Sequence, residues 1–261
     1  MAEQIQTSLI SCHRFSNLSG IDGLVHGVFA RHGGVSQPPY ATLNVAWNNG
    51  DRPEAVQENL RRVKQSVGMG MLVSTCQVHG DIIRLVDSEA ISRAKVRDPV
   101  LIMQSGDALV TSLRGVGLLI KTADCQAVFL VDPMKCVIAN IHCGWRGSVA
   151  DLPAKVVSFL KGRFGCNPKD LYAAISPSLG PCCAEFRNFQ KELPRSFLPF
   201  QSRPLHFDFW RITRSQLTNA GVPPENIETA ERCTVCETDR FFSYRREGNT
   251  GRNAAVIGWA E

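Results

Sequence analysis

Apolar positions along the chain alternate between short runs of strand type and helical spacings, and the turns between them are marked by Gly, Pro and Asp. Leu24–Ala30 reads as a strand that runs into Arg31-His32-Gly33-Gly34, where paired glycines permit positive φ. Asp51 offers an N-cap with Pro53 in the first turn. Val56, Leu60, Val63 and Val67 then follow at helical spacing, and Gly68 closes the helix. Its outer face is polar, carrying Gln57, Glu58, Arg61, Arg62 and Lys64. Val116–Ile120, Ala127–Val131 and Cys136–Ile141 are apolar runs of strand length. Leu152, Val156, Val157 and Leu160 predict a second amphipathic helix ending near Gly162 or Gly165. Leu171–Ile175 is a strand, 176–181 a loop, Arg211–Asn219 a helix, and Ala254–Gly258 a last strand. Strands and helices interleave, but the central strands look hairpin-paired, which predicts a mixed sheet rather than a doubly wound parallel one.

The turn Asp132-Pro133-Met134-Lys135 lets the central hairpin be drawn in register. If Asp132 faces Lys135 and Val131 faces Cys136, Cys125 falls opposite His142, with Cβ atoms about 5 Å apart. Asp-Pro suits a type I turn, whereas two-residue hairpins prefer primed turns. A bulge or longer loop that shifts this register by a residue therefore stays open.

Composition narrows the setting. The chain has 261 residues, is 44% hydrophobic and carries a net charge of +5 spread along its length. No Pro/Gly/Ser-rich or charged linker divides it, so one domain over residues 1–261 is expected. No run is apolar and long enough to span a membrane. The opening Met-Ala-Glu-Gln-Ile-Gln-Thr-Ser lacks the layout of a signal peptide, which points to a cytoplasmic protein with reduced thiols. Nucleic-acid binding is not expected, because the basic residues form no stripe. Among ten cysteines, the adjacent Cys182-Cys183 makes an unlikely disulfide. Cys233-x-x-Cys236 has no partner pair at zinc-ribbon spacing, so it reads as core or surface thiols, with metal or redox chemistry the alternative. Aromatics and arginines mix in the C-terminal segment made of Phe241-Phe242-Ser243-Tyr244-Arg245-Arg246 and Thr250-Gly251-Arg252. That segment reads either as a base- and phosphate-holding stretch or as an edge strand with a solvated basic face.

The candidate chemistry lies in His79, Cys125 and His142. Two imidazoles and a thiolate form an N,N,S set for zinc with a fourth position open; the Cys-His pair is also the minimal kit of a thiol nucleophile. Gly144, Trp145, Arg146 and Gly147 follow His142 and read as a substrate-lining loop, with Arg146 for an anionic group or bridged to a carboxylate. Adjacent strand residues face opposite ways, so Asp124 reaches the site only if the backbone bends, as support or as a proton acceptor. Asp107 after Gly106 reads equally well as a turn former. The chain contains no P-loop, HExxH, GxSxG elbow or dinucleotide fingerprint.

Gln-Val-His-Gly, Gly-Asp-Ala-Leu-Val-Thr, Thr-Ala-Asp-Cys, His-Cys-Gly-Trp-Arg-Gly, Leu-Gly-Pro-Cys-Cys-Ala-Glu and Phe-Phe-Ser-Tyr-Arg-Arg with Thr-Gly-Arg occur in this order, preceded by Arg31–Ser36 and Leu43-Asn44. In order and spacing these blocks resemble the laccase-domain (YfiH/YlmD-type) family from about Gly27 to the end. The resemblance implies a single α/β (α+β) domain layered α-β-β-α, with a metal at the positions matching His79, Cys125 and His142. Members are described as zinc-dependent purine nucleoside phosphorylases with adenosine deaminase and methylthioadenosine phosphorylase activity. They have also been known as copper polyphenol oxidases, and some are implicated in peptidoglycan editing. Ala127 stands where the family often has proline, Cys143 where it has alanine, and Ala184 and Phe186 depart from its Cys-Tyr-Glu-Val block. These changes leave the trio untouched and bear on substrate preference.

Four functions follow. The first is a zinc enzyme acting on purine nucleosides and phosphate. Its candidate catalytic residues are Cys125, Asp124 and Arg146, its candidate substrate contacts Arg31, Asn44, Gln77, Arg245 and Arg246. The second is a copper-dependent polyphenol oxidase. The chain has six histidines, two of them in the trio, so one chain cannot ring a trinuclear copper cluster with imidazoles, although copper could substitute at the same three ligands. The third is a hydrolase with Cys125 as nucleophile and His142 as base, acting on a muropeptide amide. The fourth is a metal-stabilised binding module. The sequence assigns no oligomeric state.

Overall fold

In the computed structural model, which describes residues 10–261, the predicted strands gather into two stacked sheets. One runs in the order β1 (Cys12–His13), β2 (Leu24–Phe29), β15 (Asn253–Trp259), β8 (Val116–Thr122), β3 (Met71–Thr75), β6 (Val100–Met103) and β5 (Lys95–Arg97). The other runs β14 (Ile227–Thr229), β11 (Tyr172–Ile175), β9 (Gln126–Asp132), β10 (Val137–Cys143), β7 (Ala108–Thr111) and β4 (Ile83–Leu85), and β12 (Gln201–Arg203) with β13 (His206–Phe207) forms a small separate ribbon. Both large sheets are mixed: β3 pairs parallel with β6 and β8, β4 with β7, and β11 with β14, while the other pairings are antiparallel. The opening Met-Ala-Glu-Gln-Ile-Gln-Thr-Ser lies outside the described residues. No helix among the described residues is long and apolar enough to cross a membrane.

The central strands read as unbroken apolar runs because each is covered on both faces. Ala127, Phe129 and Val131 of β9 face the other sheet and meet Leu118, Ile120, Ala255 and Ile257. Val128 and Leu130 point the opposite way, onto Leu152, Val156 and Leu160 of the Leu152–Phe164 helix. The outer face of the first sheet is covered by Val56, Leu60 and Val63 of the Pro53–Val67 helix against Leu72, Leu119 and Val256. The layering is therefore α-β-β-α. Each such side chain contributes roughly 1.5–3 kcal/mol by leaving water.

Several expectations are corrected. The central hairpin pairs Asp132 with Val137 and Ala127 with His142, two residues from the predicted register. The loop is longer than two residues: Asp132 Oδ1 accepts the N–H groups of Met134 and Lys135, and Cys136 takes φ +50°. Side chains alternate with period two, so an even shift leaves Cys125 and His142 on the same side, whereas a shift of one would have parted them. Asp51 is not the N-cap. It is buried, accepts from Ser36 Oγ and Asn44 Nδ2, and leaves Arg52 as a cap without a side-chain bond. Phe241 and Phe242 are buried and Tyr244–Glu247 is a helical turn, so no edge strand forms there. Of the paired glycines only Gly33 has positive φ, at +92°. Gly34 serves close approach, since a Cβ there would lie 2.1 Å from the Thr42 carbonyl oxygen.

His26 on β2 is buried, and its Nε2 accepts the Phe15 N–H at 2.9 Å. Burial, aided by Arg14, lowers its pKa to about 4, against about 6.5 in an unfolded chain. The folded state thus refuses a proton that the unfolded state accepts. The resulting stability is complete above about pH 6.5 and is lost as the pH falls towards 4, by about 2 kcal/mol between pH 7 and pH 4.5. Urea midpoints should fall over that range, and His26→Gln should flatten the slope; an unchanged slope in the variant would assign the loss to other groups.

Candidate functional site

The trio converges where β9 and β10 leave the space between the sheets. His142, near the end of β10, is buried, and its Nδ1 lies 2.8 Å from Asp107 Oδ1. Asp107 is itself fully buried just before β7, and its carboxylate accepts the backbone N–H groups of Val78, His79 and Gly80. One carboxylate therefore turns the His142 ring and folds the loop that carries His79. Burial alone would raise the Asp107 pKa, but the His142 bond and the Gly80 and His79 N–H donors outweigh it and the group is held below the usual carboxylate range. His79 takes φ +59° and is exposed, its ring meeting that of His142 edge-on with centroids 4.8 Å apart.

Cys125 arrives from a bend. Asp124 has φ +86°, a conformation that costs a non-glycine residue energy and is held here by its neighbours. Asp124 Oδ1 accepts from Thr234 Oγ1 at 2.7 Å and Oδ2 from the Arg245 N–H at 2.6 Å, while the Asp124 carbonyl accepts from Leu179 N. This bend brings Cys125 and Asp124 to the same cleft. Burial would raise the Cys125 thiol, but the His142 and His79 imidazoles prevail and bring it down to about 6.

One donor atom from each of His79, Cys125 and His142 lies within 4.8 Å of the others. The set fits a metal ion. Asp107 occupies Nδ1 of His142 and leaves Nε2 for coordination, as carboxylate–histidine pairs do at metal centres. A Cβ on Gly144 would sit 2.9 Å from the Cys125 sulfur and 3.4 Å from the His79 ring, so glycine there keeps the donors' approach clear.

The trio opens into a cleft of about 680 Å³. Trp47, Trp145, Phe186, Phe209 and Tyr244 line it, and Arg97, Lys121, Arg245 and Arg252 give it a cationic wall. Burial lowers the Lys121 ammonium to about 8, and its Nζ donates to Ser74 Oγ and the Thr75 carbonyl. Arg252 lies over the Tyr244 ring and Arg97 over the Trp47 ring.

Of the other residues singled out in the sequence, Asp124, Gln77 and Arg245 line the cleft. Gln77 spends both ends of its amide on the Lys121 backbone, and Arg245 also donates to the Glu185 carbonyl. Asn44 is fully buried, holding Asp51, Ala46 and the Arg252 N–H. Arg31 pairs with Glu247 at 2.7 Å over the Phe242 ring, and Arg246 donates to the Thr234, Val235 and Phe241 carbonyls. Arg146 is exposed and stacked on Trp145 rather than facing the cleft, with no carboxylate partner among the described residues. Lys121 and Arg97 join the site without having been singled out in the sequence, whereas Arg252 belongs to the mixed aromatic and basic stretch and Asp107 to the Gly106-Asp107 turn. The remaining histidines, His13, His26, His32 and His206, join no metal-ligating group among the described residues.

Comparison with known proteins gives a consistent picture. The family model described as multi-copper polyphenol oxidoreductase laccase matches residues 25–260. A Geobacillus stearothermophilus protein named purine nucleoside phosphorylase YlmD is 35% identical over 253 residues, covering 92% of this chain and 91% of the relative. Purine nucleoside phosphorylase YfiH of Escherichia coli K12 is 32% identical over 237 residues, covering 87% and 90%. The crystal structure of YlmD from Geobacillus stearothermophilus superposes with a TM-score of 0.82 at 34% identity, over 92% of this chain and 93% of that one.

Proposed function

The chain belongs to the multi-copper polyphenol oxidoreductase laccase family, and within it we propose that this protein, acting as one domain over residues 1–261, is a zinc-dependent purine nucleoside phosphorylase. Its substrates on this reading are adenosine, inosine, guanosine and methylthioadenosine, with adenosine deamination as a second activity. The observation that carries the reading is one cleft combining an N,N,S donor set, aromatic walls and four cationic side chains. Its relatives' names support the same chemistry.

Phosphorolysis joins a phosphate oxygen to the ribose C1′ as the C1′–N9 bond breaks, giving ribose 1-phosphate and a base that gains a proton. Arg97, Lys121, Arg245 and Arg252 supply the positive wall for the phosphate dianion, and the aromatic walls suit a purine face. Asp124, with one protein donor on each oxygen, retains lone pairs to accept a substrate proton or hydroxyl. A metal held by His79, Cys125 and His142 supplies a Lewis acid at the cleft floor. Arg146 reaches the substrate only by leaving Trp145, so we assign it a lesser part. Arg31, Asn44 and Arg246 build the wall that carries Tyr244, Arg245 and Arg252, and Gln77 fixes the backbone of Lys121. We place the protein in the cytoplasm, where its ten cysteines would stay reduced.

The test is base release from adenosine and inosine by the zinc-loaded protein, with and without phosphate. Release that requires phosphate and yields ribose 1-phosphate is expected. No product from fully loaded protein overturns the reading. Copper at the same three ligands is the second reading, and the metal content of protein made without added copper separates the two.

A further inference from the structure

Away from the cleft floor, the chain builds a second convergent set of ligands. Cys182-Cys183 sits on a turn in which the Gly180 carbonyl accepts from Cys183 N and Ala184 N. Cys233 and Cys236 sit on another, in which the Cys233 carbonyl accepts from Glu237 N. The Cys-x-x-Cys pair, without a partner at local spacing, thus finds one about fifty residues away. All four sulfurs lie within 4.8 Å of one another, and Cys236 Sγ is 3.6 Å from both Cys182 Sγ and Cys183 Sγ. Four sulfurs at about 2.3 Å from a tetrahedral zinc are separated by about 3.8 Å. The thiols therefore stand close to the edge lengths of a zinc tetrathiolate, and none is joined in a disulfide. Gly180 N donates to Cys233 Sγ at 3.3 Å, the kind of N–H···S contact that supports a thiolate.

We infer that Cys182, Cys183, Cys233 and Cys236 hold a zinc ion in a closed, structural four-thiolate site distinct from the His79–Cys125–His142 centre. Four protein ligands leave no open position, so this ion orders the chain rather than meeting substrate. What it orders is the cleft rim. Thr234, between the two ligands of the Cys-x-x-Cys turn, donates to Asp124 Oδ1. The Thr234 and Val235 carbonyls hold Arg246, and Leu179, beside the other turn, donates to the Asp124 carbonyl. Two backbone bonds, Ser178 N to the Arg232 carbonyl and Thr234 N to the Ser178 carbonyl, tie the loops in the register the metal needs. Arg203 Nη2 on the Cys182 carbonyl places a cation beside the net negative charge of such a site.

The test uses full-length protein expressed with zinc and purified under reducing, oxygen-free conditions. Wild type should carry two zinc ions per chain. Cys125→Ala should keep one, and Cys182→Ser/Cys236→Ser should lose the other. Cobalt added to metal-free Cys125→Ala protein should give the intense near-ultraviolet thiolate-to-cobalt absorption and the visible bands of a tetrahedral ion; this readout requires no variant at the four cysteines and no activity. Cys125→Ala protein with neither zinc nor that cobalt spectrum overturns the inference. So does zinc retained in full by the Cys182→Ser/Cys236→Ser protein, or a Cys236 disulfide to Cys182 or Cys183 found in its place by mass spectrometry.

Discussion

Cys125→Ala should remove one metal ion per chain and abolish phosphorolysis, deamination and any copper-dependent oxidation together. The donor atoms of His79, Cys125 and His142 lie within 4.8 Å of one another, and the only thiolate among them is Cys125. Two imidazoles left alone bind zinc weaker by orders of magnitude. The fold should persist, because a thiol-to-methyl change at a half-buried position leaves almost no cavity, and the melting temperature should move by only a few degrees. Elemental analysis and a nucleoside assay on the same preparation check both halves. Loss of turnover with the full metal complement retained would make Cys125 a nucleophile in place of a ligand, the reading in which iodoacetamide inactivates and a chelator does not. Full metal and full activity would remove Cys125 from the site.

Much of this molecule is legible in its sequence wherever one face or both must be buried. The runs around Val116, Ala127 and Cys136 all become strands, because residues apolar on both faces have few other ways to leave water. The two long helices predicted near 53–67 and 152–164 form and end on left-handed glycines, Gly68 and Gly165. Turn geometry is less legible. Asp-Pro could not close a two-residue hairpin, and the longer loop appears only once Asp132 has gathered the Met134 and Lys135 N–H groups.

The site is legible where chemistry is scarce and obscure where it is common. A His, a Cys and a His beside glycines stand out; arginines do not, since a guanidinium serves backbone carbonyls as readily as phosphate. Arg31 and Arg246 are of that structural kind, held by Glu247 and by main-chain oxygens. Arg252 and Lys121 face the cleft, although Lys121 sits within an apolar strand, where a lone cation signals either an error of assignment or a function. The four-cysteine cluster shows only its Cys-x-x-Cys half as a local motif, because its halves meet only when two loops about fifty residues apart are bridged by backbone bonds.

Asp107→Asn should weaken the same metal centre without touching a ligand. By its sequence Asp107 reads equally well as a turn former, and it does form a turn, but through its side chain: it gathers the Val78, His79 and Gly80 N–H groups and the His142 ring at once. An amide keeps one acceptor and turns a second acceptor into a donor aimed at those donors. The His79 loop then loses at least one bond, and a buried N–H left unpaired costs about 1–3 kcal/mol. His142 loses the negative charge that raises the basicity of its other nitrogen, an effect that typically lowers metal affinity by about 10–100-fold. Chelator competition should show that loss, with turnover falling in parallel at limiting zinc and recovering in part at saturating zinc, and the thermal midpoint should drop as well. Recovery with excess metal separates a positioning residue from a lost ligand, since Cys125→Ala should not recover. If Asp107→Asn binds zinc as tightly as the wild type, orientation of His142 by this carboxylate is not what holds the centre together.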